Sequence, residues 1–181
     1  MTPRFDPTRA IKFDLARGQM RDDEGTTRVN LPAHVLLRLC VQAGESAQKD
    51  FAQGLGSDVG RRIVERLGKA MQDASVEAWT EHLGGQLALL GLGDLSIEQW
   101  GKALVLVIDG APQGTASIVG SLLGAAITRA SGRSVQLIAF ENESSVSYLV
   151  VSAEGALHAL ELMRSGAGLG QVVEQLHRGA A

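Results

Sequence analysis

The stretch Gly54-Leu55-Gly56-Ser57-Asp58-Val59-Gly60-Arg61-Arg62-Ile63-Val64-Glu65-Arg66-Leu67-Gly68 decides how the rest of the chain is read. Together with Phe51 and Met71, its residues Leu55, Val59, Ile63 and Leu67 recur at every fourth position. That spacing lays one drifting apolar ridge along a helix. Beside it runs a second ridge of Gly56, Gly60, Val64 and Gly68. A glycine inside a helix costs about 1 kcal/mol relative to alanine. Several on one ridge need compensation, and a neighbouring backbone passing too close for a side chain supplies it. A break near Gly54–Ser57, with Ser57 capping a second helix, is the competing reading. A phosphate loop is not: the dinucleotide fingerprint requires G-x-G-x-x-G directly after a strand, and the Walker loop ends in Gly-Lys-Ser/Thr.

Outward from this helix, the N-terminal side opens with Ile11-Lys12-Phe13-Asp14-Leu15, which alternates apolar and polar as a half-buried strand does. Asp22-Asp23-Glu24-Gly25 supplies turn chemistry and Thr26 to Val29 reads as the return strand, giving a short hairpin over about residues 8–30. Pro32 suits the first turn of a helix whose apolar face is Val35, Leu36, Leu39, Cys40 and Ala43, ended by Gly44.

On the C-terminal side, a helix from about Ser75 to Leu90 carries Val76, Trp79, Leu83 and Leu87, and Gly91-Leu92-Gly93 stops it. Leu95 to Ile97 and the almost continuously apolar Ala103 to Ile108 read as strands, the second central in a sheet. Thr115 to Ala130 is helical, with Ile118, Leu122, Ala126 and Ile127 on one side and Gly120 and Gly124 beside them. Val135 to Phe140 and Val146 to Val151 form a hairpin, and two helices, about 154–164 and 169–177, finish the chain. The order predicts an α+β fold: an antiparallel sheet of four to five strands against a layer of helices, with a short N-terminal hairpin and C-terminal helices. Its 181 residues suit a single domain, 1–181, with a core over about 30–152 and terminal helices over about 153–179.

Bulk properties exclude whole classes of function. The net charge is −3, and Arg61-Arg62, the nearest approach to a basic patch, is followed by Glu65 with no stacking aromatic between cations. A nucleic-acid partner is therefore not expected. No apolar run approaches the ~20 residues needed to span a bilayer. The N-terminus lacks the apolar segment of a signal peptide, and the lone Cys40 cannot pair within the chain, so a cytoplasmic location is expected.

Helix, glycine ridge and strands together resemble the 4-vinyl-reductase-type (hydrocarbon-binding) domain superfamily, which includes bacterial effector-binding domains and TRAPP vesicle-tethering subunits. The resemblance rests on Val35-Leu36-Leu37-Arg38-Leu39-Cys40, then Gly54 to Glu65, then Leu95-Ser96-Ile97-Glu98-Gln99-Trp100-Gly101 leading into an apolar strand. Gly120-Ser121-Leu122-Leu123-Gly124 and a strand pair beginning near Glu141 complete it. It implies an apolar cavity between helices and sheet, frequent homodimerisation, and a ligand that differs from branch to branch. Two departures narrow it. Zinc-bearing members follow the glutamate near the hairpin with cysteines, whereas Glu141 is followed here by Ser144, Ser145 and Ser147, so no metal is expected. Acylated members carry a cysteine after the glycine-rich helix, where this chain has Lys69-Ala70-Met71-Gln72.

No residue pattern points to catalysis. Cys40 sits on an apolar helix face without His or Asp one turn away and reads as a small buried hydrophobe. His34, His82, His158 and His177 lack metal-ligand spacing. Glu154 and His158 form an exposed helix pair, and Glu141 and Glu143, two apart near a strand end, read first as a solvated hairpin tip, with a carboxylate pair for acid–base work as the alternative. Trp79 and Trp100 read first as core anchors. Their functional reading is as walls of an apolar pocket with Leu83, Leu106, Ile118, Leu122 and Phe140, while Gly56, Gly60, Gly120 and Gly124 serve helix packing. The expected function is thus a non-catalytic binding module without a cofactor, holding a small apolar ligand and passing its state to a protein partner, as a homodimer. A structural adaptor with a filled cavity is the alternative, and a reductase or tetrapyrrole accessory protein a more distant one.

Overall fold

The computed structural model describes residues 4–68 and 75–179. Its main sheet is antiparallel in the order β4-β5-β7-β6, with β4 Asp94–Trp100, β5 Ala103–Asp109, β6 Gln136–Glu141 and β7 Ser145–Val151. The apolar run of β5 lies inside the sheet, as its pattern predicts, and Leu106 stands opposite Tyr148 on β7. Alternation then sorts the strands onto two covered faces. Leu95, Leu106, Ile108 and Tyr148 join one core, while Val105, Ile138 and Leu149 join a second.

The first core is closed by three helices: α3 Glu45–Leu67, α4 Val76–Leu89 and α5 Ala116–Ser131. The second is closed by α6 Ala153–Arg164 and α7 Leu169–Gly179, which supply Ala156, Ala159, Val172 and Val173. The expected sheet-on-helices arrangement is present, with the terminal pair forming a further layer behind the sheet.

The helix that organises the sequence is one continuous rod of 23 residues. The alternative break at Gly54–Ser57 does not occur, and Ser57 is exposed in mid-helix. Its glycines divide by role. A Cβ on Gly56 would land on the Leu122 carbonyl, 2.8 Å from its carbon and 2.9 Å from Cα. A Cβ on Gly60 would stand 2.5 Å from Ala126 O and 2.9 Å from Arg129 Cβ. The helix α3 therefore crosses α5 at backbone contact through these two positions. Gly54 meets nothing within 4 Å. Gly68 departs from the expected ridge: at φ 62° it is the left-handed cap that ends α3, its N–H donating to Val64 O. Met71, also assigned to the ridge, lies outside the described residues.

The N-terminal segment corrects the expected hairpin. It is a three-stranded ribbon, β1 Ile11–Asp14, β2 Gln19–Asp22 and β3 Thr27–Arg28, preceded by the single turn α1 Pro7–Ala10. The first turn falls at Leu15–Gly18, not at Asp22–Gly25 alone. The middle strand lacks an apolar alternation because its one buried side chain is a carboxylate, Asp22.

That carboxylate docks the ribbon onto α3. Arg62 Nη1 donates to Asp22 Oδ2 at 2.6 Å, Arg28 Nε to the same oxygen at 2.8 Å, and Thr26 N to Oδ1 at 2.8 Å. Around them Arg62 Nε reaches Asp58 at 2.9 Å, Arg61 reaches Glu24 at 3.0 Å, and Arg66 pairs with Asp23. Burial pushes the Asp22 carboxyl up, but the hydrogen bonds from Arg62, Thr26 and Arg28 outweigh it and hold the group below the ordinary carboxylate range. Further along, Phe5 lies over Gly85, its N–H donating to Glu81 Oε1 at 3.1 Å.

Candidate functional site

Helix α2, Ala33–Ala43, is the element that opens a cavity. Gly44 at φ 88° ends it and turns the chain directly into α3, so the two helices form a hairpin. Cys40 is buried and Leu36 and Leu37 are half-buried toward the body of the protein. Opposite, α4 stops at Leu90, and positive-φ glycines at Gly91 and Gly93 swing the chain away into β4. Gly93 is obligatory for a second reason: a Cβ there would stand 2.5 Å from Asp109 O. Between α2, the first half of α3, the end of α4 and the start of α5 remains a cavity of about 300 Å³.

Its wall is formed by Leu36, Leu37 and Cys40 from α2, Phe51 and Leu55 from α3, Leu89 to Leu92, and Pro112, Thr115 and Ile118. Among the described residues the lining contains no carboxylate, imidazole, guanidinium or ammonium group. Its polar side chains are Asn30, Cys40 and Thr115, whose hydroxyl donates to Pro112 O at 2.6 Å. Such a space favours an uncharged apolar occupant, since an ion brought there would lose its hydration without a counter-charge.

A smaller chamber of about 100 Å³ lies on the other side of Leu55, Leu89 and Leu90, roofed by the ribbon. Its walls combine Ala10, Ile11, Met20 and Val29 with Asp22, Arg28, Arg62, Arg66 and Gln86. Away from the cavity α2 stays uncovered, with Val35 37% and Leu39 61% exposed one turn apart and Val41 70% exposed on another side of the helix.

Of the residues expected to line a pocket, Ile118 lines this cavity. Trp79, Leu83, Leu106 and Leu122 are 2% exposed or less and close-packed in the first core, where the space between sheet and helices is filled. Trp100 is at the sheet edge, 37% exposed, its Nε1 donating to Glu98 Oε2 at 2.7 Å. Phe140 belongs to the second core, on the opposite face of the sheet. These two corrections have one cause: strand alternation sends residues 98, 100, 138 and 140 away from α5. Gly120 lies under the Tyr148 ring, where a Cβ would be 3.0 Å from Cε1, whereas a Cβ on Gly124 would meet Leu137 Cγ at an ordinary 3.9 Å.

Tyr148 itself escaped the sequence reading. It is 1% exposed, donates to Ala116 O at 2.9 Å, and burial next to Glu141 raises its phenol well above the ordinary range. Arg62 is likewise no surface handle, its side chain being 3% exposed. Glu141, Glu143, Glu154 and His158 are exposed. Among the described residues no cluster of His, Cys, Asp and Glu could hold a metal ion, and no helix is long and apolar enough to cross a membrane.

With this geometry in view, comparison with known proteins is informative on one point. No family model matches the chain, and no curated protein matches it. Among solved structures it is similar to the phenol-responsive sensory domain of the transcription activator PoxR, determined with phenol. The TM-score is 0.58, with 79% of this chain and 85% of that domain covered at 11% identity. The likeness is one of fold. It shows that this arrangement of sheet and helices is shared with a sensory domain, and no more about the residues in the cavity.

Proposed function

We propose that this chain is a non-catalytic binding module that holds a small, uncharged, apolar molecule in the cavity beside α2 and passes its occupancy to a protein partner. The observation that carries the reading is the wall itself: about 300 Å³ of partly open space lined by leucines, Phe51, Cys40 and Ile118. The shared fold with a phenol-responsive domain supports it, and makes phenol and small alkylbenzenes the first molecules to try.

The cavity contains its own reporter. Cys40 is the only cysteine and lines the wall, so an occupant shields its thiol. Titration with phenol, toluene and cyclohexanol is expected to raise the melting temperature and slow alkylation of Cys40 in proportion to occupancy. Leu36→Trp, which fills the space, should abolish both effects while the protein stays folded. If none of these molecules shifts melting or protects Cys40, the reading fails.

The uncovered face of α2 supports the partner-facing half of the proposal. Val35 and Leu39, one turn apart on α2, expose apolar surface side by side. Self-association through this face as a homodimer is the arrangement we expect, and Leu39→Glu should render it monomeric in sedimentation experiments. A wild-type protein that is monomeric at every concentration tested would remove the dimer from the reading and leave a different chain as the partner.

A further inference from the structure

The loop that leads from β5 into α5 seats one hydroxyl in the wall of the cavity beside α2. Gly110 at φ 69° and Gly114 at φ 79° turn the chain back on itself, and Thr115 N donates to Pro112 O at 3.3 Å to close the turn. Thr115 is 2% exposed and lines the cavity. Its Oγ1 also donates to Pro112 O, at 2.6 Å. A carbonyl can only accept, so the hydroxyl proton is committed to that bond.

What remains on Oγ1 is acceptor capacity. A threonine at the start of a helix ordinarily directs it to a first-turn N–H. Thr115 stands at the N-terminal cap of α5, yet its side chain caps nothing, and no described residue donates to Oγ1. The other polar side chains of the wall do not compete with it: Asn30 is exposed, and the buried Cys40 thiol is a weak hydrogen-bonding group. The buried wall therefore offers a ligand one strong hydrogen-bonding side chain, and offers it as an acceptor only. The O–H of an alcohol or a phenol matches it. A ketone oxygen would face it lone pair to lone pair, and a hydrocarbon would leave it unused. A carboxylate would bring a charge that nothing in the wall offsets.

We infer that Thr115 is a specificity-determining residue of this cavity, its Oγ1 accepting from the O–H of a neutral alcohol or phenol whose apolar body lies against the leucines. This rests on the proposal that the cavity takes a small apolar molecule. It narrows that class to molecules with an O–H donor at one end.

The test uses cyclohexanol and cyclohexanone, which differ at one oxygen as donor against acceptor, with toluene as a report on the cavity alone. Each is titrated calorimetrically into the wild-type protein, Thr115→Val and Thr115→Ser. Thr115→Val keeps the branched shape without the hydroxyl, and Pro112 O retains the backbone N–H at position 115 as a donor. Melting curves check that the variants fold, and Thr115→Ala repeats the comparison should Thr115→Val not do so. Thr115→Val should weaken cyclohexanol about fivefold, the loss of one neutral hydrogen bond, and leave cyclohexanone and toluene unchanged. Thr115→Ser, which retains the hydroxyl, should bind cyclohexanol as the wild type does. The ratio of cyclohexanol to cyclohexanone affinity, compared between proteins, cancels the different hydration of the probes. If that ratio is the same with and without the hydroxyl, Thr115 serves only the turn and the inference is overturned, while the cavity stands on the binding of toluene. If neither toluene nor cyclohexanol binds the wild-type protein, the cavity reading fails and takes this one with it.

Discussion

Two alanine substitutions one turn-half apart on the same helix should move stability in opposite directions. Gly54→Ala and Gly56→Ala both replace a glycine inside α3, and on helix propensity alone each stabilises by about 1 kcal/mol. At Gly54 nothing lies within 4 Å of the new methyl, so the full gain is expected. At Gly56 the methyl would sit 2.8 Å from the Leu122 carbonyl carbon, where unstrained carbon–carbon contacts are about 3.5–4.0 Å. The shortfall of about 0.7–1.2 Å falls between two backbones, and no side-chain rotation relieves it. Helices α3 and α5 must separate by that amount, and their shared buried contacts, Val59, Ile63, Leu122 and Ala126 among them, loosen together. Overpacking of this kind costs about 1–3 kcal/mol, and more where backbone is on both sides. Urea unfolding followed by circular dichroism should therefore place Gly54→Ala about 1 kcal/mol above wild type and Gly56→Ala about 2–4 kcal/mol below it. Equal stabilities for the two variants would refute the argument, because it would mean that α3 does not cross α5 at backbone distance.

Three further outcomes follow from the same geometry. Asp22→Leu takes the buried partner at 2.6 Å from Arg62, whose side chain is 3% exposed but keeps Asp58 at 2.9 Å, and should cost about 1.5–3 kcal/mol by chemical denaturation. Because the folded carboxyl of Asp22 is held below its ordinary value of 3.8, its contribution is complete above that pH and disappears as pH falls through the lowered folded value. An acid titration of wild type should accordingly show a steeper loss of stability below about pH 3.8 than the same titration of Asp22→Leu. Tyr148→Phe keeps the ring that faces Gly120 but removes the hydrogen bond to Ala116 O, for an expected loss of about 1 kcal/mol in thermal or urea unfolding.

What the sequence made legible was everything expressed as periodicity within one element. The unbroken apolar character of Ala103 to Ile108 identified an inner strand, and the fourfold spacing from Leu55 to Leu67 identified a helix face. Gly44 and Ser75 marked helix ends by local backbone chemistry, and they do so in the structure, Ser75 by accepting from Ala78 N. Strand β2 was illegible for the complementary reason. Its inward residue is Asp22, whose partner Arg62 lies 40 residues away, so neither residue signals burial by its own type. Read alone, both belong on a surface. The strand pattern also identified alternation without saying which face meets which helices. That is why alternation alone does not separate Trp100 and Phe140 from the residues on the other face of the sheet.

The cavity was hidden by a subtler ambiguity, and it bears on how the protein would work. An amphipathic pattern such as Leu36, Leu37 and Cys40 says which side of a helix faces inward, not whether the inward space is filled. Filling is decided by how near the other elements come, and here that differs across the molecule. Where α3 crosses α5, two glycines bring the backbones together and leave no room for change. At its other end the same helix turns back into α2, whose N-terminus has no side-chain cap and whose outer face has no cover. The ribbon beside it is held to α3 largely by ion pairs. Leu55 lies between these regimes, one residue from Gly56 and in the wall of both cavities. On the proposed reading, a molecule entering there would meet a floor held by backbone contact and a roof that is not. Occupancy would then be felt through α2 and the ribbon, the elements with surface left for a partner, rather than through the sheet.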